Sequence, residues 1–179
     1  MPGGICLASP LGNKGKYQLI INRINQLSVN ISFDLDSTLI PNGKEFETEK
    51  RGRLAAFFGI EELRKGTSTL ISDLQQQGHK IHIYTTSFRS KSRIRRTLKY
   101  YGITVSRIVN QSENSRALKS INMSSSKYPL AFKFDLHIDD SKGVGMEGER
   151  FNFKTVIVDP SDQNWTDKVL REVGVLMGI

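Results

Sequence analysis

Cysteine is nearly missing from this chain: there is one, Cys6, in 179 residues. That excludes an internal disulfide framework and fits a reducing compartment. Long apolar runs are missing too, so no segment reads as a membrane span. The opening MPGGICLASPLGNKGK lacks the basic start and apolar stretch of a secretory signal. The expectation is a soluble, cytoplasmic protein with no membrane partner. Acid is the scarcer charge: 18 Asp and Glu face 26 Lys and Arg, giving +8 and a pI near 9.7. Such a balance attracts anionic ligands and puts nucleic acid among the partner classes to weigh. Neither an internal repeat nor a second domain is visible, and 20.2 kDa suits a single core.

What is present is an alternation of strand and helix signals. Residues 1–28 read as a tail or short extension, flexible over the first sixteen, with YQLIINRINQL (Tyr17 to Leu27) a short helix or strand; residues 29–179 read as one domain. Asn30 to Phe33 is a short buried strand, followed by a polar stretch with helical material in RGRLAAFFGIEEL. Thr67 to Gln77 is a helix with Leu70, Ile71 and Leu74 on one face and Gly78 as its stop. KIHIYTT is a strand, SKSRIRRTLKYYG a basic helix closed by Gly102, and VSRIV another strand; FDLHIDD and KTVIVDP are strands too, and a helix runs from about Trp165 to Val173. Strands separated by helices predict an α/β fold, a doubly wound three-layer sandwich around a mostly parallel sheet.

The first strand runs directly into Asp34 and Asp36, separated only by Leu35. Two carboxylates so close repel, and burying each costs several kcal/mol unless something compensates. A solvated turn through Ser37, Pro41, Asn42 and Gly43 is the plain explanation. A calcium loop matches at Asp34, Asp36, Thr38 and Glu45, but it needs glycine where this chain has Leu39 and a helix where it has a strand. A third reading is a cation site at a strand's carboxyl end. Two other strands favour it, one ending in Thr85 and Thr86, the other in Asp139 and Asp140. In a parallel sheet these ends share one edge, and Lys127, with Lys133 as the alternative, comes between the last two. Acids, a hydroxyl and an ammonium in one crevice suit Mg²⁺ and a phosphoryl group.

From Asn30 to Pro160 the chain resembles the phosphatases of the haloacid dehalogenase (HAD) superfamily. Asp34, Leu35, Asp36, Ser37 and Thr38 match the first family motif, Asp-x-Asp-x-Thr; Thr85, with Thr86 as neighbour, matches the second, Lys127 the third, and Asp139 with Asp140 the fourth. The resemblance implies Asp34 as nucleophile, Asp36 as acid and base, Thr85 and Lys127 as catalytic phosphate contacts, and Thr38, Thr86 and Arg89 as substrate contacts. It implies metal ligation by Asp34, Asp36 through its carbonyl, and the pair Asp139 and Asp140, the latter preferred. A phosphorylated substrate and an aspartyl phosphate follow from it. The short stretches Pro41 to Gly66 and Thr86 to Lys127 imply a site with little or no cap.

Competing patterns are weighed on spacing. A signalling receiver places its acidic pair first and its lysine last, the reverse of this order. GVGMEG, Gly143 to Gly148, matches G-x-G-x-x-G, but six residues before Thr155 are too few for a dinucleotide-binding crossover, so it reads as a loop and short turn. Asp159 before Pro160 reads as a turn residue. The run Arg89, Lys91, Arg93, Arg95, Arg96, Lys99 reads as a solvated helix face rather than a nucleic-acid surface, with Ile94 and Leu98 inward. Arg64 and Lys65 read as solvated surface. His79, His82 and His137 have no metal-ligand spacing. The alternative to an enzyme is an idle module that binds nucleic acid or an acidic partner through its basic surface.

Overall fold

The computed structural model describes residues 28–178. The expected tail, the Tyr17 to Leu27 element and Cys6 lie outside the described residues. Five strands, β1 (Asn30–Phe33), β2 (Lys80–Tyr84), β3 (Arg107–Val109), β4 (Leu136–Asp139) and β5 (Thr155–Ile157), form one parallel sheet in the order β3-β2-β1-β4-β5. The helices are α1 (Arg53–Phe57), α2 (Thr67–Gln76), α3 (Lys91–Tyr100), α4 (Gln111–Ser120), α5 (Lys142–Phe151) and α6 (Trp165–Met177), with a 3₁₀ turn at Pro129–Phe132. The expected α/β, doubly wound architecture is what forms. The chain steps outward from β1 to β3, then returns to β4 on the other side. The order therefore reverses beside β1, and the carboxyl ends of β1 and β4 flank the crevice where such sheets bind ligands.

Alternation along the three central strands divides the sheet's faces chemically. Ile31, Phe33, Ile81, Ile83, Leu136 and Ile138 join α2, α3 and α6 in the larger hydrophobic core, through residues such as Leu70, Leu74, Ile94, Leu98 and Val169. Ser32, His82, Tyr84, His137 and Asp139 occupy the alternate positions. All five are buried. That second face is covered in part by Phe132 and Phe134, which cluster with Tyr84 and Val109.

Helix ends follow local chemistry. Ser90 and Asn110 cap α3 and α4 by accepting from the Arg93 and Glu113 amides. Gly78 and Gly102 take the left-handed conformation that ends a helix. α4 has no counterpart among the expected elements, since its QSENSRALKS buries only Asn114 and Leu118. α5 forms where a loop and short turn were expected. GVGMEG is helical there, and its glycines let α5 lie close on β5: a Cβ on Gly148 would stand 2.8 Å from Thr155 Cγ2 and 3.0 Å from the Phe153 carbonyl. Among the described residues no helix is long and apolar enough to cross a membrane.

Candidate active site

β1 and β4 are in register through Phe33 and Ile138, and the Asp34 amide donates to the Ile138 carbonyl at 2.9 Å. Asp34 and Asp139 are thus the next residues on adjacent strands. Immediately after them the chain bends: Ser37 adopts φ +56, the Leu39 and Ile40 amides return to the Leu35 carbonyl, and Ser37 Oγ donates to Glu45. A non-glycine residue held left-handed is uncommon, and here it turns the chain back beneath the strand end. Carboxylate oxygens of Asp34, Asp139 and Asp140 lie within 4.8 Å of one another.

Lys127 enters from a loop that contains no helix or strand. Its Nζ donates to Asp34 Oδ1 at 2.7 Å and Asp139 Oδ2 at 2.5 Å, and the side chain is 4% exposed. Lys133 is exposed and left-handed, outside this cluster. Burial of Asp34 raises its pKa to about 6 despite Lys127, and the Asp139 charge pushes the same way. Burial also opposes ionisation of Asp139, but the His137 hydrogen bond and the Lys127 charge outweigh it and hold that carboxyl well below its usual range. Lys127 is held above its usual value, because Asp34 and Asp139 overcome its burial. Asp140, half-buried, is raised by burial and partly relieved by the Thr38 hydroxyl, which donates to its Oδ1 at 3.0 Å.

The site thus holds three carboxylates and one ammonium. Its donors are hard oxygens at close spacing, and its net charge is negative, so a hard divalent cation fits both. Asp139 is the poorest ligand of the three, since Lys127, His137 and the Ser141 amide already occupy its oxygens.

No protein-family model matches the chain, and no curated protein sequence does. Among solved structures, it is similar to a predicted HAD-like family hydrolase from Porphyromonas gingivalis, at 14% identity and a TM-score of 0.46 over 82% of this chain and 98% of that one. A chain of the Pnkp1/Rnl/Hen1 RNA repair complex gives 18% and 0.47 over 75% of this chain and 43% of that one. The cobalt-bound deoxy-D-mannose-octulosonate 8-phosphate phosphatase from Haemophilus influenzae gives 9% and 0.46 over 87% and 92%.

The remaining candidates are placed as follows. Thr85 is buried one residue past Tyr84; its amide donates to the Val109 carbonyl and its Oγ accepts from the Ser87 amide at 3.1 Å. Thr86 is exposed. Thr38 is fully buried, so its hydroxyl serves Asp140 rather than a substrate. The Asp36 carboxylate lies apart from the acidic cluster, on Arg89 Nη1 at 2.7 Å. Arg89 is not an open anion contact: its Nε donates to both Glu61 oxygens and its Nη1 also donates to Ser87 Oγ.

The frame around Lys127 has no local signature in the sequence. Glu147 on α5 accepts from the Ser126 amide and hydroxyl and from the Lys127 amide. The Asn114 amide donates to the Ser126 carbonyl, and Tyr84 Oη donates to Asn114 at 2.6 Å while accepting from the Tyr128 amide at 2.7 Å. His137, expected only as a strand position, also joins the cluster. Its Nε2 lies 2.9 Å from Asp139 Oδ2 and its Nδ1 2.9 Å from Ser32 Oγ. Burial lowers its pKa. The neutral ring then donates from Nε2 to Asp139 and accepts the Ser32 hydroxyl at Nδ1. The available signal was the i, i+2 spacing of His137 and Asp139, which puts both on one face.

Arg64 also departs from expectation. It is 2% exposed, not solvated: its guanidinium lies between the Phe46 and Trp165 rings at 4.7 and 4.8 Å. Its Nη2 donates to the carbonyls of Asp159, Pro160 and Asp162, which ties the loop after β5 to the segment before α2. Asp159 forms the expected turn, accepting from the Ser161 amide and hydroxyl.

Proposed function

We propose that this chain is a Mg²⁺-dependent phosphoric monoester hydrolase of the haloacid dehalogenase type, with Asp34 as nucleophile. The observation that carries the reading is the cluster at the carboxyl ends of β1 and β4, with Lys127 Nζ 2.7 Å from Asp34 and the three carboxylates within 4.8 Å of one another. Asp34, Asp140 and the Asp36 carbonyl would hold the cation. When bound, it offsets the repulsion between the Asp34 carboxylate and a phosphate dianion.

The protein's own groups supply the rest. Asp34 attacks phosphorus in line, the bond from phosphorus to the ester oxygen breaks, and Asp36 gives that oxygen a proton. Asp36 then takes a proton from the water that attacks phosphorus, which breaks the aspartyl phosphate and returns Asp34 as a free carboxylate. Thr85 donates to a phosphoryl oxygen. Lys127, fixed by Asp139, balances the charge gathering on the transferred group, and His137 fixes Asp139 in turn. Asp36 starts at the rim on Arg89, so its proton transfers require it to leave that pair. Thr86, at the same rim, faces the remainder of the substrate.

The test is hydrolysis of an aryl phosphate with Mg²⁺ or with EDTA, in wild type and Asp34→Asn. Metal-dependent turnover that the substitution abolishes supports the reading. Turnover that persists in Asp34→Asn, or that ignores EDTA, sinks it.

A further inference from the structure

The segment between the first acidic motif and α2 breaks a rule of ordinary packing. In α1 only Ala55 is buried, while Leu54 and Phe57 are 76% and 83% exposed and Phe58, just past the helix, is 65% exposed. A fourth large apolar side chain, Phe88, is 81% exposed on the loop that leads from Thr85 to Arg89. Three of nine phenylalanines thus face water. Exposed rings grouped on one side of a small protein mark an interaction surface.

These rings border the most basic element of the chain. The α1 segment lies along α3: the Gly52 amide donates to Tyr100 Oη, the Glu61 amide to Thr97 Oγ1, and a Cβ on Gly59 would stand 3.8 Å from Arg96 Nη2. From Arg89 to Tyr101 there are six cations and no acid. Arg89, Lys91 and Arg93 have carboxylate partners, whereas Arg53, Arg95, Arg96 and Lys99 are exposed and have none among the described residues. At its upper end the surface reaches the active site, where Arg89 holds Asp36. Lys91 to Arg96 covers about 8 Å along the helix axis, the scale of the last nucleotides of a strand.

We propose that this face holds a single-stranded nucleic acid whose terminal phosphate enters the Asp34 site. Exposed rings beside unpaired cations are what a single strand recognises: bases stack on the rings and backbone phosphates meet the cations. The Phe57 and Phe58 rings stand 5.5 Å apart at 81°, so their faces point in different directions and each is open to a separate base. A lone solvated helix face explains the charges but leaves the exposed rings without a role. The terminal phosphate in this proposal rests on the phosphatase reading; the binding of the strand does not.

The test uses the full chain and a short labelled oligothymidylate without a terminal phosphate, its binding followed by anisotropy across a salt series. Wild type binds, with affinity falling steeply as salt rises. Arg95→Ala with Arg96→Ala flattens that dependence by roughly 0.7 in logarithmic slope per lost phosphate contact. Phe57→Ser with Phe58→Ser weakens binding by about tenfold or more at unchanged slope. Both variants change only exposed side chains, and melting curves verify their fold. No binding by wild type at low salt, unchanged affinity in both variants, or stronger binding to anionic vesicles or a phosphopeptide overturns the proposal. With a terminally phosphorylated strand, the ratio of its kcat/KM to that of an aryl phosphate falls in both variants. Asp34→Asn keeps the unphosphorylated strand bound, so loss of the surface and failure of the phosphatase reading give different results.

Discussion

Lys127 shows how much a single side chain here depends on its surroundings. A buried ammonium is tolerable only with opposite charge at hand, and Asp34 and Asp139 provide it. Lys127→Met leaves two carboxylates facing each other with no internal cation. The expected outcome is loss of phosphatase turnover by about a hundredfold or more, with Lys133→Ala unchanged; equal effects of the two substitutions would be incompatible with the placement of Lys127. Tyr84 acts one step further out. Tyr84→Phe removes the hydrogen bonds to Asn114 and from the Tyr128 amide, and both partners are left inside the protein. Stability should fall by about 1–3 kcal/mol, measured by urea unfolding. Turnover should also fall as the Lys127 loop loosens, and an unaltered midpoint would mean that water replaces the hydroxyl. The identity of Lys127 was readable from its place in the motif order, but its frame of Glu147, Asn114 and Tyr84 was not. Those partners are distant in sequence and meet only through folding.

Elements differ in how visible they are. Strands β1, β2 and β4 show as apolar runs ending in functional groups, and α2 as a periodic stripe, because burial selects their residue types. α4 and α5 do not show, since α4 is mostly polar and α5 carries three glycines, Gly143, Gly145 and Gly148. The glycines that argue against a helix locally are what allow α5 to rest on β5. Gly148→Ala tests this. In an open helix the change would stabilise, but here the added methyl meets Thr155 and the Phe153 carbonyl at 3.0 Å or less. The expected result is a loss of about 1–3 kcal/mol, read as a lowered thermal midpoint; a raised midpoint would show that helix and strand separate freely.

At the scale of the molecule, burial of imidazoles sets part of the pH response. His82 stacks on Phe134 with ring centroids 4.6 Å apart, and burial with the Arg107 and Lys80 charges lowers its pKa from 6.5 to about 4. The unfolded chain takes up this proton near pH 6.5, while the folded protein resists it until about pH 4. The His82 contribution to stability is therefore complete above 6.5 and is lost as pH falls toward 4. Melting curves of wild type and His82→Gln should diverge across that window, with wild type losing more; parallel curves would show that His82 titrates alike in both states. Asp34, raised to about 6, works in the opposite sense in the absence of metal, because the folded protein binds its proton first. Mg²⁺ should stabilise wild type at pH 7 by about 2.7 kcal/mol at a hundredfold excess over its Kd, read as a raised thermal midpoint, and leave Asp34→Asn unmoved.

The amino-acid order by itself determined the alternation of strands and helices, the parallel sheet, and the edge on which Asp34, Thr85, Asp139 and Asp140 gather. Apolar periodicity and the acids that interrupt it are local features, and a parallel sheet aligns strand ends without further information. Only the tertiary structure decided which groups meet across the chain. It set Thr38 on Asp140, Arg89 between Asp36 and Glu61, Arg64 between two rings, and Phe57 and Phe58 in water beside a basic helix. These outcomes follow from packing between segments tens of residues apart. Phenylalanine reads as core in any local window, and only the assembled surface shows where the core had no room for it.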